Sequence, residues 1–381
     1  MTLPSWITLD SANSRLAGAA GQFSGTTQAE ANASAQRSLD TFGDAAIADG
    51  SLYCYDFPVL LTTVAGLGIG LPSQSTWDAD NEFVWTVRGY NIGGASSLVD
   101  RVNVNDLSIA SFAPAATTHG IQYVPDYSGS GTLQGQRIWF NRYAVIGHIL
   151  PAAPYTSTNI FSAIPSNIAP SALSPALWVP EKNMLFASQG KFNPGVGLRF
   201  QSIDFMTGVK TITNMDPTIT SDADNYTYNP EKDSVLIGGL ASVDIATLVP
   251  TAITMAPVGR NQVGSSAYCP DNGYIYIPYN LGATYGVALM SAATEAIDYY
   301  VDISTTYIKG IVYHPARRYM YIYGNDTVTI IDTEKYALDS AMILGNITGL
   351  PTPISAPTGV YSPITRNVYI AASGGIMYVI T

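Results

Sequence analysis

The chain has 381 residues, with 17 Lys and Arg against 28 Asp and Glu, and a formal net charge of −11. Charged residues make up 12% of it and hydrophobic residues 47%, so about half the usual charge sits on an ordinary apolar content, too rich for a disordered chain. So few cations argue against a nucleic-acid partner, and two Cys with three His leave no material for a disulfide scaffold or a zinc cluster.

Residues 1–50 are rich in Ala, Ser, Gly, Thr and Gln, with large apolar groups only at Trp6, Ile7, Leu16, Phe23, Leu39 and Phe42. The opening ten residues have neither a basic n-region nor an apolar h-region, so no signal peptide is expected. The segment 27–39 reads as a short helix, opposed by its Gly and Ser content. Two readings of this N-terminal extension stay open: it packs on its own chain, or it docks as an arm on another subunit. Residues 57–71 are the longest uncharged apolar stretch. They are too few to span a bilayer and are broken by Pro58, Gly66, Gly68 and Gly70, so they read as strand and loop, with no membrane span.

From there an internal repeat dominates. An aromatic followed two residues later by Pro recurs at Tyr123, Trp178, Tyr228, Tyr268, Tyr313 and Tyr361, with a degenerate copy at Trp77. Each anchor is followed by an apolar run: Phe83-Val-Trp-Thr-Val87, Arg137-Ile-Trp-Phe140, Met184-Leu-Phe-Ala187, Val235-Leu-Ile-Gly238, Tyr274-Ile-Tyr-Ile277, Tyr319-Met-Tyr-Ile-Tyr323 and Val368-Tyr-Ile-Ala371. The offset from anchor to run is six or seven residues, except after Tyr123, where a Gly/Ser insertion intervenes. The anchors are 40 to 55 residues apart, and seven units of about 47 residues fill 51–381. A period in the forties with several strands per unit predicts an all-β fold, a seven-bladed β-propeller. Runs that are apolar at consecutive positions suit strands covered on both faces. Asp204-Phe-Met-Thr207, Asp244-Ile-Ala-Thr247 and Asp332-Thr-Glu334 follow many of the runs and read as hairpin turns. After Tyr361 only two more strand segments precede the end of the chain, so the last blade is one strand short. The expected donor is a strand from about 51–65, closing the ring.

The unit Tyr313-His-Pro315…Tyr319-Met-Tyr-Ile-Tyr-Gly-Asn325…Val328-Thr-Ile-Ile-Asp332 resembles the YVTN-type β-propeller repeat, most closely over 268–381. The resemblance implies a fold and no particular activity.

Candidate chemistry is sparse. His119, His148 and His314 are the only histidines, and His119 and His314 lie in or near anchor segments expected to line the channel, where a pair could serve as ligands or as acid and base. The ordinary reading is that they are structural. Neither a nucleophile elbow nor a His-Glu-x-x-His site nor a Walker loop is present. Asp78-Ala-Asp80-Asn81-Glu82 and Asp222-Ala-Asp224-Asn225 offer alternate oxygens suited to Ca²⁺, with solvated turns as the plainer alternative. The Gly pairs 93–94, 238–239 and 374–375 read as hairpins, and Cys54 and Cys269 as free thiols. Tyr90, Tyr127, Tyr155, Tyr226 and Tyr285 lie outside the runs and suit a partner or glycan face.

The expectation is therefore a non-enzymatic structural or docking subunit without cofactor, metal or catalytic residues, of the kind found in a virion as a phage tail or capsid component. Its partners are other protein subunits, met by Trp6, Phe23 and Phe42 of the arm and by Tyr90, Tyr127 and Tyr155. Such a chain is made in the cytoplasm and joins a virion or extracellular assembly. The alternative is a receptor- or glycan-binding propeller, and the third reading is a lactonase-like enzyme.

Overall fold

All seven anchor aromatics occupy the same place in the computed structural model, the penultimate residue of an inner strand. Residues 7–10, 15–18, 57–68, 71–90, 98–112, 120–125, 137–142, 145–151, 157–162, 173–189, 199–214, 226–238, 241–253, 261–262, 264–304, 307–334, 342–354 and 358–381 are described. The chain divides into an N-terminal unit up to Phe57 and a second unit from Pro58. In the first, Ile7–Asp10 and Arg15–Gly18 form an antiparallel hairpin with Ile7 opposite Gly18. The composition of 1–50 predicts no strand there.

The second unit is a seven-bladed β-propeller of antiparallel sheets. Blade 1 is Leu71–Asp78, Phe83–Tyr90, Leu98–Asn103 and Ile109–Phe112, and blade 2 is Gly120–Val124, Arg137–Arg142, Val145–Ile149 and Ser157–Ser162. Blade 3 is Leu173–Val179, Met184–Gln189, Arg199–Asp204 and Lys210–Asn214, and blade 4 is Tyr226–Asn229, Ser234–Ile237, Ala241–Asp244 and Pro250–Ala252. In blade 5 the inner position is shared by Asn261–Gln262 and Ala267–Cys269, followed by Tyr274–Leu281, Thr284–Ser291 and Ile297–Ser304. Blade 6 is Gly310–His314, Tyr319–Gly324, Thr327–Asp332 and Ile343–Ile347. Blade 7 is Val360–Ser362, Asn367–Ala372 and Ile376–Ile380, with Leu60–Ala65 as its outer strand. Each inner strand packs beside those of the two neighbouring blades, blade 7 beside blade 1, so the ring is continuous.

The predicted apolar runs are the second strands, and their core is divided among the seams between blades. Among the described residues, seven apolar clusters occur, one per seam. Alternate residues of one run serve opposite seams: Val235 and Ile237 pack toward blade 3, and Leu236 toward blade 5. Met320 and Ile322 likewise pack toward blade 5, and Tyr321 and Tyr323 toward blade 7. Because successive side chains leave a strand on opposite faces, a strand buried on both is apolar at most consecutive positions, with Thr86 and Arg88 of blade 1 as polar exceptions. Each fully buried side chain contributes about 1.5–3 kcal/mol.

The seam between blades 7 and 1 joins distant parts of the chain. Leu60–Ala65 pairs with Ile376–Ile380, and Val59 and Thr381 exchange two hydrogen bonds of 3.2 Å. The backbone N–H groups of Gly66 and Leu67 both donate to the Gly375 carbonyl at 3.1 Å. Gly375 has φ +76°, and a Cβ there would lie 2.5 Å from the Leu67 carbonyl oxygen, so both conformation and close approach require glycine. Arg88 of blade 1 crosses the same seam. Its Nε donates to Asp100 Oδ2 at 3.0 Å, and both side chains are fully buried. Its Nη1 and Nη2 donate to the carbonyls of Ala372 (3.2 Å) and Ile376 (3.4 Å) of blade 7. Asp100 also accepts the Gly68 N–H at 3.1 Å and the Ser111 hydroxyl. Burial pulls the Arg88 guanidinium downward, opposed by the Asp100 charge beside it.

Removing one member of a buried ion pair leaves the other charge uncompensated. Arg88→Met is expected to lower unfolding free energy by about 3–5 kcal/mol in urea titration, whereas exposed Lys232→Met shifts it by less than about 0.5 kcal/mol.

Candidate functional site

The antiparallel order puts the turns joining inner to second strands, and third to outer strands, at one end of every blade. These turns carry the chemistry that the repeat conserves within the chain. After the anchor-x-Pro segment comes a residue in the left-handed region: Glu82, Asn183, Asp233, Gly273, Arg318 and Arg366, with φ between 52° and 69°. The carbonyls of Glu82, Asn183, Asp233, Gly273 and Arg318 accept the N–H just past the third strand, from Val104, Phe205, Ile245, Ala292 and Thr333 at 2.9–3.2 Å. Each tie sews the two turns of a blade together.

The anchor tyrosine reaches back to the preceding blade. Tyr268 donates to Glu231 Oε1 at 3.2 Å, Tyr313 to Asp271 Oδ2 at 2.5 Å, and Tyr123 to Asp80. Burial, then the carboxylate bond, raises all three phenols. Tyr228 instead donates to Asp233 of its own turn at 3.1 Å and is pushed up to about 12 by burial and that bond. The residue after the anchor points the opposite way. Asn229 Nδ2 donates to Ala292 O (2.9 Å) and Glu295 Oε1 (3.1 Å) of blade 5, and Glu295 also accepts Ser234 and Ser242 of blade 4 at 2.5 and 2.7 Å. His314 Nε2 donates to Arg366 O of blade 7 at 3.0 Å, while its Nδ1 accepts the Arg317 N–H at 3.2 Å. One tripeptide thus engages both neighbouring blades, because its successive side chains alternate faces.

The inner strands face one another with edges that no sheet partner covers. Neighbouring side chains supply the missing acceptors: Thr76 Oγ1 for Tyr123 N (3.1 Å), Gln122 Oε1 for Trp178 N (3.3 Å), Ser265 Oγ for Ile311 N (3.2 Å) and Thr358 Oγ1 for Ser75 N (2.7 Å). Gln74 of blade 1 spans furthest. Its Oε1 accepts Ile121 N and Ala176 N at 2.7 and 2.9 Å, and its Nε2 donates to Ala176 O at 2.7 Å.

Several sequence expectations change here. His314 lies in the seam between blades 6 and 7, fully buried, 5.6 Å from the Tyr321 ring and 4.5 Å from the Tyr361 ring by centroids. It does not line the channel, since it follows the anchor and so takes the face turned to the next blade. His148 is buried against Trp139, and His119 lies outside the described residues. The carboxylates of the first acidic cluster diverge: Asp78 binds Asn81 N (3.0 Å) and Trp85 Nε1 (3.1 Å), Asp80 binds Tyr123, and Glu82 binds Asn105. The second cluster, 222–225, is outside the described residues, and among these no group of three His, Cys, Asp or Glu is placed to hold a metal. Tyr226 packs in the seam of blades 3 and 4 against Phe200, which removes it from any partner face. Tyr285 packs edge-on against Tyr307. Cys269 is a free buried thiol. Tyr90 ends the second strand of blade 1, at the end opposite these turns. Trp6, Phe23, Phe42, Tyr127, Tyr155, Cys54 and the 27–39 segment all lie outside the described residues. No sequence motif singles out Arg88, Asp100, Gln74 or Glu295. The first two left one signal, charges inside strands of a chain with few charges. No helix among the described residues is long and apolar enough to cross a membrane. No protein-family model and no curated protein matches the chain.

Tyr313→Phe is expected to cost about 1 kcal/mol in urea titration, the net worth of one partly exposed charge-assisted bond. His148 and His314 are both pushed down to about 4, chiefly by burial. The unfolded imidazole titrates near 6.5, so the stability tied to their neutral forms is complete above that pH and lost as pH falls from 6.5 through 4. The gap in urea midpoint between wild type and His314→Gln should therefore narrow as pH drops across that window. A gap constant with pH would contradict the assignment.

Proposed function

We propose that the chain is a non-enzymatic docking subunit, a structural component of a virion or comparable assembly, built on a repeat of the YVTN type. The supporting observation is the presentation of apolar side chains on turns whose backbone is fixed. Met206 and Val209 on the outer turn of blade 3, and Val249 at the matching place on blade 4, are 61%, 57% and 57% exposed. Their turns are held from within. Asp204 Oδ1 accepts Met206 N at 2.7 Å, Asp244 Oδ1 accepts Thr247 N at 2.7 Å, and the Thr207 and Thr247 hydroxyls close the same loops. Apolar groups on a rigid turn bind with little ordering cost, which suits an interface better than a moving lid. Several polar side chains of the blade ends, among them Tyr268, Tyr313, Asn229 and His314, are meanwhile committed to neighbouring blades, as expected of a scaffold.

The test is the state of the chain in its native source. Native mass spectrometry should find it inside an assembly much heavier than its own mass. A Met206→Asp, Val209→Asp, Val249→Asp variant should keep the wild-type circular dichroism melt and be recovered outside that assembly. Recovery of the wild-type chain as a free monomer would overturn the proposal.

A further inference from the structure

The seam between blades 2 and 3 gathers several buried polar groups from both of its sides. Trp139 and Gln201 are fully buried and His148 is 7% exposed. Trp139 and His148 are directly opposite on neighbouring strands of blade 2, so both project from the same face, with ring centroids 5.5 Å apart. Trp139 packs with Ala187 and Ile203 of blade 3, which fixes that face as the one turned to blade 3. Gln201 is opposite Ala187 and two residues from Ile203, so it projects into the same seam from the other side. Four atoms there have no hydrogen-bond partner: Trp139 Nε1, His148 Nδ1, and Nε2 and Oε1 of Gln201.

The equivalent positions of other blades show what is unusual here. Two residues beyond the position opposite each anchor, blades 4 to 7 carry Ile237, Ile277, Ile322 and Ile370, whereas blade 3 carries Ala187. On the adjoining third strand, blades 4 and 5 place Ala241 and Ala288, and blade 3 places Gln201. Blade 3 has alanine facing glutamine where blades 4 and 5 have isoleucine facing alanine, which sets a polar amide where two other blades close the seam with apolar side chains. The facing blade answers with an imidazole and an indole N–H. Buried amides are very seldom left unpaired in folded proteins, and ordered water is the usual partner where protein offers none.

We propose that the seam between blades 2 and 3 is an internal hydration site, in which ordered water joins the Gln201 amide to His148 Nδ1 and Trp139 Nε1. Water is the ligand whose chemistry fits. It donates to Gln201 Oε1 and to a neutral imidazole nitrogen, and it accepts from the indole and from the amide NH₂.

The test uses the full chain in two ways. A crystal structure at atomic resolution should show at least one water within 3.2 Å of the Gln201 amide and of His148 Nδ1. A dry seam, or a direct Gln201–His148 bond with no water, overturns the proposal. Independently, the pair Ala187→Ile with Gln201→Ala restores the pattern of blades 4 and 5. Water oxygen-17 relaxation dispersion should then count at least one fewer long-lived internal water than in wild type, with an equal or higher melting temperature. An unchanged count would contradict the site.

Discussion

Every blade of this ring needs a cover on both faces, and only the closed ring provides fourteen covered faces from seven sheets. That constraint decides the composition of the second strands, the small number of charges, and the need for one seam to be joined from opposite ends of the propeller. An open array would leave the apolar faces of blades 1 and 7 in water, a penalty comparable with the net stability of a domain. The join therefore carries unusual reinforcement: the pairing of Leu60–Ala65 with Ile376–Ile380, the Gly375 carbonyl shared by two N–H groups, and the buried Arg88–Asp100 pair with its reach into blade 7. A guanidinium is suited to this place because it donates in several directions and so satisfies a carboxylate and two carbonyls together.

The ring was legible in the sequence because its period lies in short local segments. The aromatic, the Pro and the apolar run fall within about ten residues, and each is demanded by local geometry: a strand end, a tight turn with one left-handed residue, and a strand buried on both faces. What the repeat meant for individual side chains was less legible. The anchor hydroxyl and the residue after it bind partners some 40 to 60 residues away, as Tyr313 does with Asp271 and His314 with Arg366. Those distances in sequence become contacts only once the blades are stacked. Hence His314 is structural, as its ordinary reading has it, but in a seam and not along the channel, and Tyr226, a candidate for a partner face, is core. Arg88 and Asp100 stand out as charges inside strands, but the local pattern does not say that they pair across one hairpin. The split inner position of blade 5, where Ser265 turns to meet Ile311, was equally hidden in a stretch without periodicity.

The candidate site was legible only in outline. Low charge and few histidines point toward binding and scaffolding; in the fold, Asp80, Glu231 and Asp271 hold tyrosines, and Glu295 holds three groups of blade 4. Exposed Met206, Val209 and Val249 left no mark in the sequence that distinguishes them from core residues, since exposure is a property of the turn and not of the residue type. The glutamine in the seam of blades 2 and 3 became conspicuous only when the blades were compared at equal register.

Closure of the ring by the strand before the first blade is the claim on which the account rests, and native-state hydrogen exchange tests it most directly. The amides of Met377, Tyr378 and Val379 should open with a free energy matching that of Ile275, Tyr276 and Ile277 in the middle of blade 5, because both then belong to one cooperative ring. Exchange at Met377–Val379 that is orders of magnitude faster than in blade 5, as for an uncovered sheet edge, would contradict it.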